Sequence, residues 1–111
     1  MSGISTHVLD TALGVPARGV SVSLERRTAD GWTLLRSGVT DQSGRIPQLL
    51  PDGMPLSGGI YRLVFRVREY FGSRTCFYPE ILIEFEITDT SSHYHVPLLL
   101  SPYGYTTYRG S

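Results

Sequence analysis

Ile81-Leu82-Ile83-Glu84-Phe85-Glu86-Ile87 sets Ile81, Ile83, Phe85 and Ile87 on one side of an extended backbone and Glu84 and Glu86 on the other. Side chains of a strand alternate between faces, so this stretch reads as a half-buried β-strand. The same period recurs upstream. Val20, Val22 and Leu24 oppose Ser21, Ser23 and Glu25, and Tyr61, Leu63, Phe65 and Val67 oppose Arg62 and Arg66. Segments from Ile4, Trp32 and Tyr94 also read as extended, and a final run alternates Tyr103, Tyr105 and Thr107 with Gly104, Thr106 and Tyr108. Turn signals separate these runs roughly every ten residues, among them Gly14-Val15-Pro16, Asp41-Gln42-Ser43-Gly44, Pro51-Asp52-Gly53 and Ser101-Pro102.

These signals predict about eight strands and one short helix, the latter over Arg68 to Thr75 and about two turns long. No longer run carries a helical period. A parallel sheet wrapped by crossover helices is thereby excluded, and an all-β, antiparallel β-sandwich remains. The 111 residues, 41% of them hydrophobic, suffice for a single domain over 1–111 and leave no room for a second.

Composition also excludes functions. Formal net charge is zero, with no block of like charges, so the electrostatic footprint of a nucleic-acid or polybasic membrane binder is missing. Arg62, Arg66 and Arg68 read as the solvated face of a strand. All ten basic residues are arginine, and without lysine neither Schiff-base chemistry nor a phosphate-loop lysine is available. The lone cysteine, Cys76, cannot form an internal disulfide and reads as a structural thiol in a reducing compartment. Residues 1–10 carry neither a basic nor an apolar leader region, and no apolar run is long enough to span a bilayer. The expectation is a cytoplasmic protein.

Chemistry concentrates in few places. His93 and His95 are two apart on a strand and share a face, a spacing that metal sites use, with His7 as a third ligand in that reading. No Cys, Asp or Glu has a persuasive spacing to complete such a shell. Asp10, three residues from His7, falls on the opposite face, so a local carboxylate–histidine dyad is not expected. Arg45 follows the tight Ser43-Gly44 turn and precedes Ile46-Pro47, a stiff setting in which its fork can hold two oxygens of a ligand. The sequence closes on Tyr108-Arg109-Gly110-Ser111, a polar tetrapeptide delivered by the last strand. Histidines, one preset arginine and this terminus point to general acid–base hydrolysis with water as nucleophile and no cofactor. A nucleophile elbow of the Gly-x-Ser-x-Gly type does not occur.

Three stretches carry a resemblance. Ser5-Thr6-His7-Val8-Leu9-Asp10, the turn from Asp41 to Arg45, and His93-Tyr94-His95-Val96-Pro97 running on to Tyr108-Arg109-Gly110-Ser111 are similar to the 5-hydroxyisourate hydrolase family of transthyretin-related proteins. The likeness covers essentially the whole chain. It implies a transthyretin-like sandwich of eight strands and one short helix, assembled as a homotetramer, a dimer of dimers with the sites at the dimer–dimer interface. It implies hydrolysis of 5-hydroxyisourate to 2-oxo-4-hydroxy-4-carboxy-5-ureidoimidazoline in urate degradation. Catalytic positions carry over onto His7, Arg45, His95 and Ser111. Substrate-binding positions carry over onto His7, Arg45, Tyr108, Arg109, Gly110 and Ser111, with no metal. A transthyretin-like small-ligand carrier or a sandwich used for protein interaction would need neither the histidines nor the preset arginine, and fold alone does not separate these readings.

Overall fold

The computed structural model describes residues 2–111. Its strands are β1 (Gly3–Asp10), β2 (Val15–Pro16), β3 (Ser21–Thr28), β4 (Gly31–Val39), β5 (Arg45–Ile46), β6 (Gly59–Phe65), β7 (Ile81–Ile87), β8 (His93–Ser101) and β9 (Gly104–Thr107), and helix α1 spans Val67–Phe71. They form a sandwich of two sheets. One has the order β2-β1-β8-β9, with β5 also pairing β1, and the other the order β4-β3-β6-β7. The period-two patterns decide what lies between them: Ile4, Val8, Val96, Leu98 and Leu100 from the first sheet meet Val22, Leu24, Leu63, Phe65 and Ile81 from the second. Each such side chain, fully buried, contributes about 1.5–3 kcal/mol. The all-β sandwich with one short helix is the architecture the alternation predicts.

Two details differ from the sequence expectation. All pairings among the described strands are antiparallel except β1 with β8, which run parallel over Gly3↔His93 through Asp10↔Leu100. No helical crossover is needed, because the chain between these strands builds the opposite sheet before it returns. The helix, expected over Arg68 to Thr75, is shorter and begins one residue earlier. Val67 enters it because its side chain is buried, and Gly72, at φ 61°, ends it while donating its N–H to the Arg68 carbonyl (3.1 Å).

Beyond that glycine the chain turns so that Arg74 reaches Asp10, which is almost fully buried at the end of β1. Tyr70 Oη donates to Asp10 Oδ2 (2.7 Å) and Arg74 Nη2 to the same oxygen (3.0 Å), while the amides of Ala12 and Leu13 donate to Oδ1 (3.1 and 3.0 Å). Burial pushes the Asp10 carboxyl up. The hydrogen bonds from Tyr70, Arg74 and Leu13 and the Arg74 charge together outweigh it and hold the group below the usual carboxylate value of 3.8. Its contribution to stability is therefore present above that value and fades as the pH falls through the lower folded value. Asp10→Asn should destabilise the fold by about 2–4 kcal/mol at neutral pH, because it leaves Arg74 facing a neutral, partly mismatched amide. Urea denaturation at neutral and acid pH checks this, and the gap between the proteins should narrow in acid.

Candidate active site

Parallel pairing of β1 with β8 decides which side chains meet on the outer face of the first sheet. On β1, Ile4, Thr6, Val8 and Asp10 point inward, which leaves Gly3, Ser5 and His7 outward. On β8, Tyr94, Val96 and Leu98 point inward, leaving His93, His95 and Pro97 outward. The register sets Gly3 against His93, Ser5 against His95 and His7 against Pro97. Residues directly opposite on paired strands share a face. On the other flank of β1, His7 lies opposite Arg45 of β5. Thus His95, His7 and Arg45, far apart in sequence, share one patch of one sheet.

The turn before β5 fixes Arg45. Asp41 Oδ1 accepts the amides of Ser43 (2.8 Å) and Arg45 (3.0 Å), an Asx-type turn, and the Gly44 amide donates to the Asp41 carbonyl (2.9 Å). Gly44 has φ 75°, and a Cβ there would run into the Val8 carbonyl, so only glycine fits. The Arg45 amide and its neighbours hold the Asp41 carboxyl below its usual range and keep it ionised. The exposed guanidinium thus rises from a tied backbone.

The C-terminal segment completes the site. After β9 it keeps the register of the β8–β9 pair, Leu98↔Thr107, so that Gly110 reaches His95 in an isolated bridge and donates its amide to the His95 carbonyl (2.8 Å). In that register Tyr108 faces Pro97, which has no N–H, and the ladder is interrupted there. Thr107 Oγ1 donates to the Pro97 carbonyl (2.8 Å) instead. A Cβ on Gly110 would lie 2.5 Å from His95 Cδ2 and 3.2 Å from Pro97 Cγ, so the bare glycine lets the backbone lie flat against the imidazole. Ser111 then closes a cleft of about 270 Å³ with Ser5, Thr6, Arg45, Pro47, His93 and His95.

Within this cleft His95 is half-buried. Burial, followed by the charges of His7, His93 and Arg45, holds its imidazole below the usual histidine value of 6.5. A ring so placed is neutral at neutral pH and can accept a proton. On its other side, Ser5 Oγ lies 2.7 Å from His95 Nδ1 and 2.7 Å from His93 Nε2.

His95, Arg45 and Ser111 line one cleft, and His7 stands beside them opposite Arg45. Tyr108 and Arg109 do not join that lining. Both line a neighbouring hollow of about 260 Å³ that His95 also borders, with Glu84, Phe85 and Tyr94, and the Arg109 guanidinium sits 4.4 Å from the centre of the Tyr94 ring. Among the described residues no group of three or more His, Cys, Asp or Glu side chains is placed to hold a metal ion, and His93 and His95 converge on the Ser5 hydroxyl. Asp10 serves Arg74 and Tyr70 rather than His7, as its opposite face requires. Ser5 is the residue that reading the sequence by itself misses, since its place between the histidines exists only once the β1–β8 register is known.

The HIUase/Transthyretin family profile matches residues 4–110. The 5-hydroxyisourate hydrolase of Salmonella typhimurium is 52% identical over 110 residues, spanning 97% of this chain and 80% of that protein. The structure of Klebsiella pneumoniae 5-hydroxyisourate hydrolase superposes with a TM-score of 0.86 at 38% identity, covering 100% of this chain and 94% of that one. Transthyretin from Sparus aurata superposes with a TM-score of 0.88 at 33% identity, over 99% of this chain and 97% of that one. With a family match over nearly its full length and relatives this similar, the chain belongs to the HIUase/Transthyretin family.

Proposed function

We propose that this chain hydrolyses 5-hydroxyisourate, opening the six-membered ring to give 2-oxo-4-hydroxy-4-carboxy-5-ureidoimidazoline. The observation that carries the reading is the placement of a neutral, half-buried imidazole at His95 beside Arg45 and His7 on one sheet face. His95 takes a proton as water adds to the ring carbonyl. Arg45 holds the planar, oxygen-rich substrate and stabilises the oxyanion that forms. The carbon–nitrogen bond then breaks, the proton passes to the leaving nitrogen and the carbonyl carbon becomes a carboxylate. His7, opposite Arg45, assists binding or proton transfer, and Ser111 bounds the cleft where the water sits.

In this reading the tetrapeptide from Tyr108 works by anchorage as much as by contact. Arg109 stacked on Tyr94 and Gly110 bridged to His95 hold Ser111 in place. The active form is a homotetramer in which a second pair of chains covers the cleft. Exposed Tyr105 and Tyr108 along the last strand and its extension suit such pairing.

The deciding experiment is whether the purified protein accelerates loss of freshly generated 5-hydroxyisourate, followed by ultraviolet absorbance; no acceleration sinks the proposal. His95→Asn should lower kcat about 100- to 10,000-fold, the usual worth of a positioned base. Because its imidazole is held below the ordinary value, wild-type activity should persist to a pH below the usual histidine range before the acid limb falls. A limb above that range would contradict the assignment. Arg45→Lys keeps the charge but loses the fork, and should fold normally while losing about tenfold or more in kcat/KM. Equal activity in the lysine variant would show that charge alone suffices. Gly110→Ala should lower kcat about ten- to hundredfold with little change in the unfolding midpoint, since the added methyl displaces the His95 ring and not the core.

A further inference from the structure

Ser5 has one hydroxyl proton and two histidine nitrogens within 2.7 Å, His95 Nδ1 and His93 Nε2. It can donate to only one of them, so the other must bring its own proton and donate to the serine oxygen. The chain His95–Ser5–His93 therefore has a direction, and reversing it changes the tautomer of both rings. Gly3 makes room for the outer end, because a Cβ there would collide with the Gln48 side chain and lie 3.0 Å from His93 Nδ1. Ser5 is buried and His93 exposed, so the chain runs from the cleft to solvent.

We propose that Ser5 is a positioning residue that holds His95 in the tautomer able to act as base, and that His93 sets the direction of the chain and reverses it when protonated. This rests on the hydrolytic reading of the site. In the working direction His95 Nδ1–H donates to Ser5 Oγ and Ser5 O–H donates to His93 Nε2. His95 Nε2 then carries a lone pair, takes the proton of the attacking water, and returns it to the leaving nitrogen, while its Nδ1–H stays on Ser5 throughout. When His93 takes a second proton it has no lone pair left. Its Nε2–H must donate to Ser5, Ser5 turns its proton to His95 Nδ1, and His95 is forced to carry its proton on Nε2, where it is no base. The other charged groups acting on His95 are His7 of β1 and Arg45 of β5; the C-terminal segment ending at Ser111 borders the cleft, and the hollow on the far side of His95 carries Glu84 and Glu86 of β7, Tyr94 of β8, Tyr108 and Arg109. None of these bonds Nδ1, so the tautomer is controlled from the Ser5 side.

The experiment joins kinetics to a readout that does not need turnover. Long-range proton–nitrogen NMR of the intact protein should show His95 protonated at Nδ1 and bare at Nε2, and Ser5→Ala should leave a mixture of both forms. In the hydrolysis assay Ser5→Ala should lower kcat about ten- to hundredfold, the worth of one charge-assisted hydrogen bond, with KM little changed. Ser5→Thr, which keeps the hydroxyl, should recover most of that loss. His93→Gln cannot take the second proton, and should move the acid limb of kcat/KM to lower pH. Were His93 only a nearby charge, its removal would raise the proton affinity of His95 and move the limb the other way. Wild-type kcat in Ser5→Ala, an Nε2-protonated His95 in the native protein, or a limb displaced upward in His93→Gln each overturns the proposal. A protein that shows the Ser5-dependent tautomer but does not consume 5-hydroxyisourate would refute the substrate and leave the relay standing.

Discussion

The parallel pairing of β1 with β8 is the constraint on which the rest depends. A strand has one inward and one outward set of side chains, and a register slip of one residue would exchange them. Here the inward set is fixed by burial: Ile4, Val8, Val96, Leu98 and Leu100 can satisfy the core only in the observed phase. The outward set follows without further choice. Ser5, His7, His95 and Pro97 must face outward, and the observed register sets Ser5 against His95 and His7 against Pro97. Thr6 reinforces the phase from within, donating its hydroxyl to the Val96 carbonyl across the pair (2.7 Å). The energy of a hydrophobic core thus supplies the geometric precision of a polar site on its opposite surface, and none of the polar residues has to stabilise the fold to stay in place.

That division of labour shapes the electrostatics. Three positively charged or chargeable groups, His7, Arg45 and His93, surround His95, and the carboxylate that β1 carries is turned inward to Arg74 and Tyr70. With no carboxylate on Nδ1, His95 is spared the partner that would raise its proton affinity, and burial and like charge act in the same direction. An imidazole in such a setting is a weaker base than one paired with aspartate but is available at neutral pH. Ser5 orients the ring as a carboxylate would, without contributing charge.

Legibility from the sequence followed the range of the interactions involved. Strands were legible because alternation is local: Ile81 to Ile87 and Tyr61 to Phe65 need no partner to declare which face is apolar. The turn that presets Arg45 was legible for the same reason, since Asp41, Ser43 and Gly44 act within five residues. The direction of β8 beside β1 was not, because nothing near His93 or Gly3 encodes which way a strand ninety positions distant will run. Ser5 was lost with it. The helix was misplaced by one residue at its start because Val67 continues the alternation of β6 and only tertiary packing shows that its buried side chain belongs to α1. Which way the side chains of the Tyr108–Ser111 segment turn is likewise not encoded locally, and the stacking of Arg109 on Tyr94 resolves it.

Pro97 links these themes. In a strand flanked on both sides, a proline costs a ladder bond, and sheets ordinarily avoid it. Here that loss falls where Tyr108 would pair, so the C-terminal segment is released from β8 for one step and regains it at Gly110. If the ladder ran unbroken, a regular residue at each position would pack side chain against side chain along His95. Instead a glycine backbone lies against the ring, and the segment is held by one amide at His95, one threonine hydroxyl at Pro97 and one guanidinium on Tyr94. Those three contacts fix Ser111 at the cleft and leave the His95 imidazole held on two sides, by the Gly110 backbone against the ring and by the Ser5 hydroxyl at Nδ1. A histidine restrained on two sides by groups that carry no charge keeps its orientation through a change of protonation state, and this is what the acid–base role proposed for His95 requires.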